Sequence, residues 1–419
     1  MPPGEPGHPL RRLLANPLFL RLWGVGALAN AMRWLEILVS AVFVYQVTQS
    51  ALAVSLVSMM RALPMLLAGA LTGALAEVLD RRHLLMLGQT ISAVTAGTVS
   101  VLALLGVLQV WHMALAGFCG GLVWTSEMAS RRRMLTEAAG QRDVVQAVAL
   151  DSTTNATTRM VGPLLGGLIY GSLGMAAAYG LSCALYLAAL LLLSGVRHRQ
   201  ETGRFSPRQV LADMAEGLRV VRRHPALLTV ILVTIAMNIF GFCFNAVLPA
   251  LGQAQFAATP FQVGLLTASE PAGGLLAGLF MASRRGAPLS PGLMVAGSAF
   301  FLCCLIGMTL AGQLWLAVAL LVLGGTGTAL FGALQTALPV TQAPPEARSR
   351  VLGLVTTCIG MSPFGTLAIG VLADALGPGK AILIMAGLGL AVLAGTALFV
   401  LRPVERRRAL ADPAAGTKE

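Results

Sequence analysis

Residues 224–252 read HPALLTVILVTIAMNIFGFCFNAVLPALG and contain no Asp, Glu, Lys or Arg. About 20 consecutive apolar residues are enough for a helix to cross the hydrocarbon core of a bilayer. In that environment the backbone must satisfy its hydrogen bonds within the segment, which favours an α-helix. The run therefore predicts a transmembrane helix that begins just after His224-Pro225.

An earlier part of the chain repeats this pattern. Asn16-Pro17 precedes the first apolar run, and the shift of 208 residues that relates it to His224-Pro225 also relates Asn30 to Asn238. Two copies of a helical membrane unit usually enclose a path between them, which is typical of transporters. Later positions correspond in the same order: Val54 and Leu56 with Val263 and Leu265, and Gly162, Gly167 and Leu173-Gly174 with Gly365, Gly370 and Leu376-Gly377.

The composition independently indicates a membrane protein. Hydrophobic residues make up 56% of the 419 residues, charged residues 11%, and the mean hydropathy is +0.79. This leaves too little polar surface for a water-soluble globule of that size. We predict an all-α integral membrane protein with twelve transmembrane helices in two pseudo-symmetric six-helix halves. The predicted spans are 17–47, 51–77, 83–107, 111–133, 143–171, 174–196, 226–252, 259–283, 290–312, 314–339, 347–374 and 379–401.

A polar linker, residues 197–225, separates the predicted halves 1–196 and 226–403, and a polar tail follows at 404–419. Apolar residues recur through the linker at helical spacing, opposite charged residues. This pattern predicts an amphipathic helix on the cytoplasmic membrane surface, with partner binding as the alternative. Its apolar positions are Val210, Leu211, Met214, Leu218 and Val221.

Arginine is distributed unevenly among the predicted loops. Clusters lie in alternate connections, such as Arg81-Arg82 and Arg131 to Arg133, whereas the connections around Gln109 and Gly312 carry no Lys or Arg. The positive-inside rule then places both termini in the cytoplasm. The net charge of +12 is an orientation signal, so membrane lipid and not nucleic acid is the expected partner.

Residues 73–82, between predicted spans two and three, read GALAEVLDRR. This loop resembles the signature loop of the major facilitator superfamily, G-x-L-A-D-R-x-G-R-R. The acidic residue in place of its second glycine looks like the enterobactin-exporter and macrolide-efflux branch. The resemblance implies the major facilitator fold and a cytoplasmic gate formed by Gly73, Glu77, Asp80, Arg81 and Arg82.

Predicted span five carries a second signature. Residues 162–167 read GPLLGG and resemble the G-P-x-x-G-G antiporter motif, which this superfamily associates with export. Gly162, Gly166 and Gly167 permit close helix approach, and Pro163 allows the helix to bend. Helix packing without a role in export is the alternative. The resemblance extends from residue 15 to 403 and implies an antiporter of the bacterial inner membrane.

Ionisable residues within membrane spans are costly when they face lipid, so they usually face a cavity or a partner. The four carboxylates among them are candidates for proton coupling, and structural ion pairs are the alternative. The ionisable residues within the predicted spans are Arg33, Glu36, Arg61, Glu127, Asp151, Arg159 and Glu270.

Depth in the bilayer separates these charges into two groups. Glu36, Arg61 and Glu270 lie roughly 15 Å from the outer ends of their spans. A shift of 209 relates Arg61 to Glu270, which suggests opposite sides of one pseudo-symmetric cavity. Glu36 is expected to neutralise Arg61 or to lie beside Arg33.

Glu127 and Asp151 are expected at a similar depth in the inner half of the membrane. Two nearby carboxylates in a low dielectric favour retention of a proton. Alternatively, both hold Arg131 to Arg133 in a cytoplasmic gate.

Polar residues that recur on one helix face, or at repeat-equivalent positions, complete the predicted substrate cavity: Asn30, Arg33, Arg61, Asn155, Arg159, Asn238 and Asn245.

These patterns predict a secondary transporter that works by alternating access and exports an amphipathic small molecule, of drug or siderophore type, in exchange for protons. The alternatives are a lysophospholipid flippase, a transporter of metal ions or organic anions, and, outside transport, a membrane enzyme or sensor. The sequence has no phosphate-binding glycine loop and no metal-binding motif of the HExxH or CxxC type. We therefore expect no enzymatic activity, no cofactor and no resident metal, and we expect a monomer.

Overall fold

The computed structural model describes residues 9–78, 80–196, 207–283 and 290–401. The regular secondary structure in these ranges is helical. The predicted tail at 404–419 and the first part of the predicted linker lie outside them. The α-helices are α1 (Pro9–Ala15), α2 (Pro17–Thr48), α3 (Ala51–Val78), α4 (Arg81–Leu104), α5 (Val110–Ser194), α6 (Pro207–Arg223), α7 (Pro225–Ala236), α8 (Phe244–Phe256), α9 (Pro260–Ser283), α10 (Pro291–Thr309), α11 (Leu314–Gln342), α12 (Arg348–Ile359), α13 (Ser362–Leu376) and α14 (Pro378–Thr396).

The predicted all-helical membrane fold is confirmed, and each predicted span falls on helical structure. Among the described residues, nine helical segments are long and apolar enough to cross a membrane. The longest, α5, contains three of the predicted spans. Its backbone leaves helical geometry at Gly140 (φ 69°) and Gly174 (φ 81°), in the left-handed region that glycine tolerates best. The count of twelve crossings stays a prediction, because length and apolarity alone do not show a crossing.

Short polar residues begin several helices. The Asn16 side chain accepts hydrogen bonds from the backbone of Leu18 and Phe19 at the start of α2. Proline in the first turn of a helix needs no hydrogen-bond donor, and Pro17 occupies this position. Asp80 caps α4 and Ser290 caps α10 in the same way. Side-chain caps satisfy backbone donors that the first turn leaves unpaired.

The chain forms two compact units. The first comprises Met1–Phe205 with Gly252–Ala268, and the second comprises Ser206–Leu251 with Ser269–Glu419. The first part of α9 thus packs with the first unit. The predicted domain boundaries stay predictions.

Apolar clusters form the core of the first unit. One joins α2, α3, α4 and α5 around residues such as Val39, Val54 and Tyr179. Another surrounds Phe19 and Leu135, and a smaller one joins α2 to the start of α9. Burial of these side chains fixes how α2 and α5 are turned toward each other, and this orientation positions the charged residues between them.

Close helix contacts organise the second unit. Gly327 packs against the backbone of Gly297, and Gly365 packs against the backbone of Ile239. Residues Met237–Gly241 form a π-helical segment between α7 and α8. Such bulges occur frequently at functional sites, and this one contains Asn238.

The linker helix α6 packs on α12 of the same unit. Its Glu216 pairs with Arg350 at 2.8 Å, and Gly217 faces the Arg350 backbone. Val221 is buried, whereas Arg222 and the predicted apolar position Leu218 are exposed. Contact with a membrane surface stays a prediction.

Candidate functional site

A chain of buried polar contacts connects α2 with α5 in the first unit. Arg33 donates hydrogen bonds to Asn30 and to Glu127 Oε2, the second at 2.6 Å. The guanidinium also lies 5.5 Å from the ring centroid of Trp124, within the range of a cation–π interaction. Asn30, Arg33 and Glu127 are all buried. Glu127 thus serves as the counter-ion of Arg33 within the helix pair.

Arg131 continues the chain from Glu127 to Asp151. Its Nη1 and Nη2 donate to Asp151 Oδ1 and Oδ2 at 2.7 and 3.3 Å. Its Nε lies 3.5 Å from Glu127 Oε1. The two carboxylates that the sequence places at one depth are therefore separated by a cation. This geometry favours the ion-pair alternative for Glu127 and Asp151, while their roles stay predictions.

Glu36 lies deeper in the first unit and is also buried. Its Oε1 has no hydrogen-bond partner among the described residues. Arg61 and Arg33 are both close enough for their charges to act on this buried carboxylate. Arg61 lies over Gly120 of α5, where a side chain would collide with the guanidinium. Neutralisation of Arg61 by Glu36 stays a prediction.

Two further predicted cavity residues on α5 have different surroundings. The Arg159 guanidinium lies 5.2 Å from the ring centroid of Trp34, and Asn155 is exposed. Together with Asp151 they follow one helix face, as the four-residue spacing predicts. Arg159 thus contacts Trp34 of α2, whereas Asp151 contacts Arg131 of α5 itself.

The second unit contains its own buried carboxylate. Glu270 is 3% exposed and accepts a hydrogen bond from Thr328 at 2.5 Å. In the same unit Asn238 donates to the Thr234 carbonyl at 2.9 Å. Asn245 is exposed. Arg61 and Glu270 belong to different units, so their predicted opposition stays a prediction.

Asp80, Arg81 and Arg82 of the predicted gate have contacts within the first unit. Asp80 accepts from the backbone of Arg82 at 2.8 Å, and Arg81 pairs with Glu137 at 3.1 Å. Arg82 donates to the Ser194 carbonyl. The side chains of Gly73 and Glu77 lie outside the described part of the structure. Asp80 therefore has a local role as a helix cap, in addition to the predicted gating.

A second ion pair joins α1 to the same region. Arg12 donates to both carboxylate oxygens of Asp143, at 3.0 and 2.5 Å. The hydrogen bond to Asp143 raises the pKa of the Arg12 guanidinium. The Asn16 amide donates to the Ala138 carbonyl at 2.9 Å. These contacts hold the amino-terminal helix against the segment around Gly140.

The glycines of residues 162–167 form close helix contacts. A side chain at Gly162 would lie 2.9 Å from the Ala31 carbonyl, and one at Gly166 would lie 3.1 Å from the Leu35 carbonyl. Gly167 faces the backbone of Pro260 at the start of α9. The segment therefore joins α5 both to α2 and to α9. A role in antiport stays a prediction.

The sequence reasoning missed several residues that complete these sites. Trp34 and Trp124 lie beside arginines, Thr328 contacts Glu270, and Gly26 faces the Arg131 guanidinium. Trp34 follows Arg33 directly, which was an available signal. The other three come from helices distant in sequence, and only packing identifies them.

Comparisons with known proteins give consistent matches over most of the chain. A family model described as a transmembrane secretion effector matches residues 9–414. The multidrug efflux pump Tap of Mycolicibacterium fortuitum is 27% identical over 384 residues, covering 86% of this chain and 90% of Tap. The enterobactin exporter EntS of Salmonella typhi is 26% identical over 347 residues, covering 80% of each chain.

A solved structure shows the same fold. A mutant of the nucleoside transporter NupG matches with a TM-score of 0.71 at 17% identity, covering 91% of this chain and 100% of that chain. At this identity the likeness concerns the fold alone.

Proposed function

Because this chain belongs to the transmembrane secretion effector family of the major facilitator superfamily, we propose that it exports an amphipathic small molecule in exchange for protons. Membership makes it a membrane transporter. Export, proton coupling and alternating access are the finer statements that we propose. We also propose that it works as a monomer in a bacterial inner membrane, with both termini in the cytoplasm.

The burial of carboxylates within candidate membrane spans carries this proposal. Glu36 and Glu127 are 8% and 4% exposed, and Glu270 is 3% exposed. A carboxylate in such a place changes the local charge when it gains or loses a proton, and the change is expensive unless nearby groups adjust. Proton uptake can therefore shift the balance between two arrangements of the helices.

Glu270 is the carboxylate that we assign to proton exchange in the second unit. The Thr328 hydroxyl can donate to the ionised carboxylate, and it can also rotate to accept from the protonated form. The Glu270 backbone is held close to Gly325 of α11, so a change at the carboxylate acts directly on the contact between α9 and α11.

The arginines suggest the chemistry of the substrate. Arg33 and Arg159 each lie over a tryptophan ring, which combines an apolar surface with a positive charge. The relatives are described as a multidrug efflux pump and an enterobactin exporter. We propose that the cavity accepts amphipathic molecules, with Asn30, Asn155, Asn238 and Asn245 as further contacts.

Transport into inverted membrane vesicles tests the proposal. The probes are ethidium, an amphipathic cation, and enterobactin, a catecholate siderophore. We expect a pH gradient to drive accumulation of at least one of them, and a protonophore to abolish it. Glu270→Gln should remove gradient-driven accumulation, whereas Glu346→Gln, which changes an exposed carboxylate, should leave it intact.

Two results would contradict the proposal. Accumulation that is insensitive to the protonophore would exclude proton coupling. Normal gradient-driven accumulation by Glu270→Gln would remove Glu270 from the mechanism.

A further inference from the structure

Arg131 lies between two carboxylates but is hydrogen-bonded to only one of them. Both terminal nitrogens donate to Asp151, at 2.7 and 3.3 Å. Its Nε lies 3.5 Å from Glu127 Oε1, and both of these atoms are buried without a hydrogen-bond partner among the described residues. Buried polar atoms are normally hydrogen-bonded. A second acceptor therefore lies next to the guanidinium, and it is paired with Arg131 by charge but not by a hydrogen bond in this arrangement.

The two carboxylates differ in their access to solvent and in their other contacts. The Asp151 side chain is 14% exposed, against 4% for Glu127. Glu127 already binds Arg33 through Oε2. The charged groups that the structure places around Arg131 are thus Asp151, Glu127 and, one step further, Arg33. Among the two carboxylates, Asp151 is the one that a proton from solvent reaches more readily.

We propose that Arg131 changes partners when Asp151 binds a proton. In the arrangement described, Asp151 is ionised and holds the guanidinium by two hydrogen bonds. Proton uptake turns the Asp151 carboxylate into a neutral acid, and Arg131 then donates a hydrogen bond to Oε1 of Glu127, which in the arrangement described is only an ion-pair partner at 3.5 Å. No covalent bond other than the new O–H bond forms or breaks. The four side chains go from zero net charge to one positive charge.

This inference rests on the proposed proton coupling and identifies its site in the first unit. A hydrogen bond from Arg131 to Glu127 draws this second cation closer to the carboxylate that holds Arg33. The Arg33 contact with Trp124 and Asn30 is then weakened, because Glu127 shares its charge between two guanidinium groups. Proton binding at Asp151 is thereby transmitted to residues of the predicted substrate cavity on α2.

Gly26 of α2 is the positioning residue for this switch. A methyl group at Gly26 would overlap the Arg131 guanidinium, with Nε at 2.8 Å. The obstructing group is the end of a flexible side chain, so Gly26→Ala should displace Arg131 without disturbing the helix backbone. Gly24 offers a matched control on the same helix. A methyl group there would make an ordinary contact with Leu192 at 3.4 Å.

Infrared difference spectroscopy of the full-length protein in lipid tests the proposal without any substrate. Acidification should produce the C=O stretch of a protonated carboxyl group, and Asp151→Asn should remove one such band. The pH midpoint of that band should move by about one unit or more in Gly26→Ala, because the charge that holds Asp151 ionised is displaced. It should stay in place in Gly24→Ala.

Tryptophan emission reports the other end of the switch. The Trp124 contribution to the emission spectrum is the part that is lost in Trp124→Phe. In the wild type this contribution should change with pH at the same midpoint as the infrared band. In Asp151→Asn it should not change with pH. A spectrum that Asp151→Asn leaves unaltered would overturn the proposal. So would equal midpoints in Gly26→Ala and Gly24→Ala. Because neither readout requires transport, a failure of gradient-driven export would be distinguishable from a failure of this switch.

Discussion

Glu127 is the side chain on which two arginines converge. Oε2 binds Arg33 at 2.6 Å, and Oε1 faces Arg131 at 3.5 Å. A buried ion pair gains little net free energy over an apolar pair, but loss of one partner leaves an uncompensated charge. Loss of Glu127 alone is therefore expected to cost more stability than replacement of Glu127 and Arg33 together by apolar residues.

We predict that Glu127→Gln lowers the free energy of unfolding by about 3–5 kcal/mol, the usual loss when a buried pair is broken. Glu137→Gln, at an ion pair whose carboxylate is 42% exposed, should cost less than about 1 kcal/mol. Denaturant titration in mixed micelles measures both. The double replacement Arg33→Met with Glu127→Leu should be less harmful than Glu127→Gln. Equal losses for Glu127→Gln and Glu137→Gln would show that the Arg33–Glu127 pair is effectively solvated.

Helix α4 begins at a residue with two separable properties. Asp80 caps the helix through bonds to the backbone of Arg82 and His83, and it carries the charge that the predicted gate requires. Asn caps a helix about as well as Asp does, whereas Ala does not. The two substitutions therefore distinguish capping from gating.

We predict that Asp80→Ala lowers stability by about 1 kcal/mol through the lost cap. Asp80→Asn should retain most of the stability. If the charge also contributes to a gate, Asp80→Asn should shift the population toward the inward-open form by about 1–3 kcal/mol. Labelling of engineered cytoplasmic cysteines measures this shift. Unchanged labelling in Asp80→Asn would limit Asp80 to its capping role.

The contact of α5 with α9 offers a test of the glycine segment. We predict that Gly167→Ala destabilises the protein by about 1–3 kcal/mol, because the added methyl group meets the Pro260 backbone, which cannot move aside easily. Gly171→Ala is the matched control, since its methyl group would lie 3.6 Å from the Pro260 side chain. Thermal unfolding of the purified variants measures the difference. Equal unfolding midpoints for the two variants would show that the α5–α9 contact adapts to the extra volume.

For the whole molecule, the arginine distribution predicts the orientation in the membrane. A reporter that is active only outside the cytoplasm, such as alkaline phosphatase, should be active when fused after Gly312 and inactive when fused after Glu419. The reason is that basic loops resist translocation. A fluorescent protein that folds only in the cytoplasm provides the reciprocal control. The opposite pattern of activity would reverse the predicted topology.

The sequence by itself determined the helical membrane fold and the family. Apolar length decides that a segment is a membrane helix, and the motifs at residues 73–82 and 162–167 are local patterns that need no packing information. The sequence also singled out the ionisable residues within the spans, because the penalty for a charge in lipid depends only on where the residue lies along its own helix.

Only the tertiary structure decided which of these residues meet. The sequence offered the pairing of Arg131 with Glu127 and Asp151 only as an alternative, and nothing in the spacing indicates that Gly26 makes room for Arg131 or that Thr328 contacts Glu270. Such contacts depend on how each helix is rotated about its axis and on how closely its neighbours approach. That rotation is set by the packing of many apolar side chains at once. Positions along one helix can therefore be read from the sequence, whereas partners across helices cannot.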